Sequence, residues 1–227
     1  MKHTLLRFNI DEALSITQVP KSFQFLFLRT VFAVAVSCVL FSGFATANAQ
    51  SVAPDIWQAG RFSFSDELGG FSITGVSGTG TRQNPYYIRQ TFHTAAAATL
   101  VIRINEMANV AKLPNNNITH TAIHLQLEIV NNSNLGWIGF GFELQEIRDK
   151  PSTYGDGLSF DQLARRKSHV TSNRFANFED QFEPGDRLVY TDGAVNSQTS
   201  VTMNFVITDF TPVPEFYLFQ NPLIPAS

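Results

Sequence analysis

TAIHLQLEIVNNSNLGWIGFGFELQEI, residues 121–147, is the stretch whose reading decides the fold. Its first arm puts Ile123, Leu125, Leu127 and Ile129 on one face and His124, Gln126 and Glu128 on the other. Its second arm puts Ile138, Phe140, Phe142 and Leu144 on one face and Trp137, Gly139, Gly141 and Glu143 on the other. A period of two is the pattern of half-buried strands. Asn131-Asn132-Ser133-Asn134 between the arms is turn chemistry. The segment therefore reads as a long hairpin. A two-stranded hairpin is marginal in water, so its apolar face needs a second layer supplied by the rest of the chain.

Working outward, the same alternation recurs. Residues 61–65 and 71–76 read as strands, separated by Gly69-Gly70. A glycine-rich turn at 77–81 leads to a strand at 86–92, and 99–104 makes another. Beyond the hairpin, 187–190, 201–208 and 216–219 alternate again, with Val201, Met203, Phe205 and Ile207 sharing a face. About nine strands, little helix and 21 phenylalanines predict an all-β, antiparallel β-sandwich of jelly-roll or immunoglobulin-like style, with a small closed barrel as the runner-up. Residues 148–186 read differently. They are polar and rich in Gly and Pro, and are expected to form one long irregular excursion, a feature more often functional or mobile than neutral.

The first 49 residues carry the marks of a leader: basic Lys21 and Arg29, an apolar run over 31–44, and Ala47-Asn48-Ala49. Cleavage near Ala49 would leave 178 of the 227 residues as one domain, 50–227, without the chain's one cysteine, Cys38. A cysteine-free exported chain points to a secreted or periplasmic bacterial protein held together by packing. Removing the leader's four basic and two acidic residues leaves 12 basic and 17 acidic residues, a net charge of −5. That balance argues against nucleic acid as a partner. No apolar run after residue 50 is long enough to span a bilayer.

Four motifs occur together: GxGTxxNPYxI at Gly78–Ile88, NNSxLxWxxFxFEL at Asn131–Leu144, YGDGLSFDQ at Tyr154–Gln162 and FVITDxxPVxxFYLxQ at Phe205–Gln220. In these the chain resembles a group of exported proteobacterial β-sandwich proteins without an established activity, some of which carry a PEP-type C-terminal sorting signal. The chain departs from the sorted relatives by ending at Pro225-Ala226-Ser227, without an apolar helix and basic tail. The resemblance implies an extracellular or envelope role and assigns no catalytic residue.

The residues carry no recognisable catalytic set. Gly75-Val76-Ser77-Gly78-Thr79 lacks the last glycine of a nucleophile elbow and precedes a strand instead of a helix. No H-E-x-x-H is present. His93, His120, His124 and His169 are scattered. His120 and His124, four apart on a strand, would lie roughly 13 Å from each other, too far to share a metal. Acidic residues gather in the excursion: Asp149, Asp156, Asp161, Glu179, Asp180, Glu183 and Asp186. Asp149, Asp156 and Asp161 are the candidate ligands for calcium, which takes several loop oxygens; the sequence requires no cofactor. Trp137, Tyr154, Tyr86 and Tyr87 are the candidate rings for stacking a sugar, Trp137 foremost because the alternation turns it outward.

The function expected is that of a secreted, non-enzymatic β-sandwich binding or scaffolding extracellular matrix material, with a polysaccharide or a cell-surface protein as partner. Two alternatives stand beside it. One is a glycan-active enzyme using the acids of 148–186, and the other is a self-assembling structural protein of the envelope.

Overall fold

The computed structural model describes residues 56–105, 121–164 and 166–226. The leader expected at 1–49, the polar loop at 112–117 and His120 lie outside the described residues. The chain folds as the expected sandwich of two sheets dominated by antiparallel pairs. Among the described residues both sheets keep free edges, and no barrel closes. The strands are β1 (Ile56–Ala59), β2 (Phe62–Ser65), β3 (Phe71–Ser77), β4 (Tyr86–Phe92), β5 (Ala98–Ile104), β6 (Thr121–Asn131), β7 (Gly139–Gln145), β8 (Leu158–Phe160), β9 (Thr171–Ser172), β10 (Phe175–Gln181), β11 (Arg187–Gly193), β12 (Thr199–Asp209) and β13 (Glu215–Leu223). The seven-stranded sheet runs β1-β2-β5-β13-β7-β11-β10. The six-stranded sheet includes β3-β4-β6-β12-β8, with β9 pairing on β12. β4 and β6 run parallel. Among the described residues no helix is long and apolar enough to cross a membrane.

The deciding stretch is not a hairpin. β6 pairs with β12 and β4 in one sheet, whereas β7 pairs with β13 and β11 in the other. Residues 132–138 arch from sheet to sheet. The buried Asn131 side chain makes the arch: its Nδ2 donates to the carbonyls of Leu135 (2.8 Å) and Val195 (3.0 Å), and its Oδ1 accepts from the N–H (3.0 Å) and hydroxyl (2.6 Å) of Ser133. Val195 belongs to the return crossing from β11 to β12. It exchanges two backbone hydrogen bonds with Trp137, so the two crossings are zipped together at one end of the sandwich.

The face assignments are right within the strands and fail just before β7. Ile123, Leu125, Leu127, Ile129, Phe140, Phe142 and Leu144 are all in the core. β7 begins at Gly139, so the alternation does not reach back to residues 137 and 138. Trp137 is 0% exposed and Ile138 is 49% exposed, the reverse of the expectation. The Trp137 ring closes the core at the arch, edge-on to Phe92 (5.9 Å between centroids) and tilted on Phe140 (5.6 Å).

The stretch 148–186 is also more regular than expected, holding β8, β9, β10 and two short 3-10 turns at Tyr154–Asp156 and Lys167–His169. β10 is the edge of the seven-stranded sheet, and most of its residues are exposed. An edge strand with little to bury shows little alternation, which is why it reads as loop.

Replacing Asn131 by Ala removes a donor from the buried Val195 carbonyl and the part-buried Leu135 carbonyl, leaves the buried Ser133 hydroxyl without its acceptor, and should destabilise the protein by about 2–4 kcal/mol in chemical denaturation. Asn132→Ala, at the exposed neighbouring position, should cost less than about 1 kcal/mol.

Candidate functional site

The expected stacking rings are not gathered on one surface. Trp137 is core, a correction that follows from where β7 starts. Tyr86 is also core. It points inward from β4, edge-on to Phe62 (5.6 Å) and Phe64 (5.3 Å), and burial raises its hydroxyl pKa. Tyr87, the next residue, faces out of the six-stranded sheet. Its hydroxyl donates to Glu128 Oε2, which also accepts from Arg89 Nε at 3.0 Å. Tyr154 opens the first 3-10 turn.

The three proposed calcium ligands are held apart by separate local duties. Asp149 has positive φ, a side chain 81% exposed, and an ion pair with Arg148 at 3.5 Å. Asp156 turns back on its own backbone, accepting from the N–H of Thr153 (2.9 Å) and Leu158 (3.2 Å). Asp161 is buried and accepts from the N–H of Ala164 (3.2 Å) and Arg166 (3.0 Å), with His169 Nδ1 at 3.0 Å. Among the described residues no three His, Cys, Asp or Glu side chains group so as to hold a metal ion. His124 does meet a histidine, but it is His169, with ring centroids 5.7 Å apart. His93 Nε2 lies 3.1 Å from the Ser72 hydroxyl.

Two other places concentrate chemistry. The first is the outer face of the seven-stranded sheet, where the register aligns side chains in rows. One row is Phe219, Glu143 and Arg187, and the next is Asn221, Gly141 and Val189. Gly141 leaves a gap in the second row. A Cβ built there would meet Asn221 and Val189 at 3.8–4.0 Å, ordinary van der Waals contact, so glycine is not a packing necessity there. The result is a trough of about 320 Å³ floored by backbone, with Phe219, Val189 and Leu223 as apolar walls. Its polar groups are fixed: Arg187 Nε donates to Glu143 Oε2 at 2.7 Å and Gln145 Nε2 donates to Glu143 Oε1 at 2.9 Å. Arg187 keeps half its side chain exposed. Farther along the same face, Arg103 bridges Glu67 and Glu215, holding the Glu67 carboxyl below its usual range.

The second place is the end of the sandwich opposite the arch. Four strand lines that face the core end there in a carboxylate at the same two-residue spacing. Phe140, Phe142 and Leu144 run on to Glu146, and Phe205 and Ile207 run on to Asp209. Asp156 precedes Leu158 and Phe160, and Asp186 precedes Leu188 and Tyr190. Asp186 and Asp209 are almost fully buried. Asp186 Oδ1 accepts from the Ser159 hydroxyl (3.0 Å) and Asp209 Oδ1 from the Thr211 N–H (2.9 Å); the backbone N–H groups of Phe160 and Val213 also act on the two carboxyls, though among the described residues Oδ2 of each is in no full hydrogen bond. Burial pushes Asp186 up to about 7 and Asp209 up to about 6. Those hydrogen bonds pull partly the other way, and the charge of Asp156 adds to both upward shifts. Glu146 is raised as well, by burial and then by Asp156.

A carboxyl whose pKa is raised by folding stabilises the fold in its protonated form. That contribution is complete below the ordinary carboxylate value of about 4 and is lost as pH rises through the folded values. The unfolding midpoint should therefore fall between about pH 5 and about pH 8, most steeply near 6 to 7. Asp186→Asn, which keeps an acceptor for Ser159, should flatten the upper part of that fall in thermal melts.

Compared with known protein-family models, curated proteins and solved structures, this chain finds no match.

Proposed function

We propose that the protein is an exported, non-catalytic β-sandwich that binds an extracellular polysaccharide in the trough on the outer face of its seven-stranded sheet. The observation that carries this reading is the combination at Gly141. A side chain is missing from a central strand, an aromatic ring stands beside the gap, and a charged pair and an amide stand at its rim. A pyranose has apolar C–H faces and a girdle of hydroxyls. The Phe219 ring suits the faces. Arg187, Glu143 and Asn221 offer donors and acceptors for the hydroxyls, in the pattern of an apolar site with a few placed polar groups. The trough is open to solvent along the sheet, a shape that admits a unit within a polymer.

Export is supported by the leader-like composition of residues 1–49 and by the absence of cysteine from 50–227. The favoured partner is a neutral or mixed-charge glycan, since acidic residues outnumber basic ones and the trough's one arginine is already paired.

Affinity electrophoresis of the purified protein against a panel of bacterial exopolysaccharides tests the reading. Phe219→Ala should weaken the retardation at least about tenfold, equivalent to about 1.4 kcal/mol. Gly141→Leu should abolish it by filling the gap, while the protein becomes no less stable, since glycine in a strand interior itself costs roughly 0.5–1 kcal/mol. Retention of binding by Gly141→Leu would place the glycan elsewhere.

A further inference from the structure

Two histidines distant in the chain meet on the outer face of the six-stranded sheet. His124 lies in β6 between the core residues Ile123 and Leu125, its partner on β12 is Val206, and its backbone N–H donates to the Gly80 carbonyl at 2.9 Å. His169 closes the 3-10 turn Lys167–His169 and sets its ring at 69° to that of His124, with 5.7 Å between centroids. Asp161 fixes the His169 ring. A carboxylate only accepts, so His169 Nδ1 donates to Asp161 Oδ2 at 3.0 Å. The ring's other nitrogen, Nε2, is buried and has no hydrogen-bond partner among the described residues. A neutral ring suits that setting, because a proton on Nε2 would be a buried donor with nothing to receive it.

The charges around the pair do not balance. Arg82 acts on His124 from the loop before β4, Asp161 is the carboxylate that opposes it, and Val206 of β12 carries no charge. The turn brings its own Arg166 and Lys167, and Asp180 of β10 lies across a narrow cleft from them. The turn is also lightly held. None of its three residues is fully buried. The strand that follows, β9, is two residues long and pairs with Met203 and Asn204 of β12, reinforced by Asn204 Nδ2 donating to Thr171 Oγ1 at 3.0 Å. A segment with so little buried surface opens at a small fraction of the global unfolding free energy.

We propose that the His124–His169 contact is an acid-sensitive latch, holding residues 167–172 on β12 while the rings are neutral and releasing them when both are protonated. Two imidazolium charges at ring contact repel, and one carboxylate is there to compensate them. Burial and then His169 lower the His124 pKa, Asp161 opposes them, and Arg82 adds to the lowering. A histidine whose pKa is lowered by folding stabilises the closed form in its neutral state. That contribution is complete above about pH 6.5 and is lost as pH falls through the lowered value. Protonation of Asp186 and Asp209 has the opposite sign and strengthens the fold over the same range. Acid therefore frees the turn while the sandwich stays folded. The latch and the trough lie on different sheets, and neither reading depends on the other.

Hydrogen exchange of the purified protein at about pH 7.5 and about pH 5.5, either side of the ordinary histidine value, tests the proposal. Protection factors, which remove the pH dependence of intrinsic exchange, should fall at least about threefold in acid for residues 167–173 and hold or rise for the β6 segment 123–129. His124→Gln, which keeps a polar side chain that does not titrate, should hold the change at 167–173 within about twofold. Arg82→Gln, which leaves both rings in place and makes the His124 charge easier to bear, should lessen the loss. His93→Gln, remote on Ser72, should lose protection as the unaltered protein does. Unchanged protection at 167–173 in acid overturns the proposal, as does an equal loss across 123–129 or an equal loss in His124→Gln. Should His124→Gln loosen the turn at both pH values, Arg82→Gln decides, and a loss as large as in the unaltered protein overturns it.

Discussion

One buried amide governs how the two sheets are joined. Asn131 ends β6, and with its side chain it holds Ser133 and Leu135 of the outgoing crossing and Val195 of the return crossing. A carboxamide can donate two hydrogen bonds and accept two at once, and Asn131 uses this capacity fully. Aspartate could not donate, and leucine could do neither. Because both crossings are fixed to each other, β7 and β12 start from the same end of the sandwich, and Trp137 is drawn down to close the core between them. The positions at the far end follow. β7 and β12 arrive there, β8 and β11 depart from there, and the acids at those four strand ends are brought into one neighbourhood.

The trough and the acidic end have different physical characters. The trough is built on the middle strands of a sheet, with Glu143, Arg187 and Gln145 locked by mutual hydrogen bonds. Its polar groups are ordered before any ligand arrives, so binding there loses little side-chain freedom. The acidic end combines two deeply buried carboxyls with two on turns. The buried pair is expensive to ionise, whereas Glu146 and Asp156 line a cavity open to solvent.

Much of the fold was legible in the residues. The period of two located the core faces of β6, β7 and β12, because a half-buried strand must alternate. Alternation names a face, however, and not a neighbour. The Asn-Asn-Ser-Asn stretch shows that the chain turns, but nothing local distinguishes a return within one sheet from an arch to the other. That is decided by Val195, 64 residues from Asn131. The alternation cannot place Trp137, because β7 and its period of two begin only at Gly139. The candidate site was less legible for a related reason. The rarer aromatics are a poor guide to it, because an exposed ring matters only beside an open surface. The signal was present in the outward positions of two paired strands, glycine at 139 and 141 and phenylalanine at 219, but it becomes a trough only once β7 is known to lie beside β13.

Gly141 is more informative than its neighbour Gly139 for that reason. A Cβ at 139 would stand 2.8 Å from the Tyr190 carbonyl, so close approach of two strands is enough to require glycine there. At 141 nothing lies nearer than 3.8 Å and the backbone is not in the left-handed region, so neither packing nor conformation demands glycine. Glycine in a strand interior costs roughly 0.5–1 kcal/mol relative to alanine through lost chain entropy. Gly141 carries that cost without a structural return, which is what the proposed glycan trough would require of it.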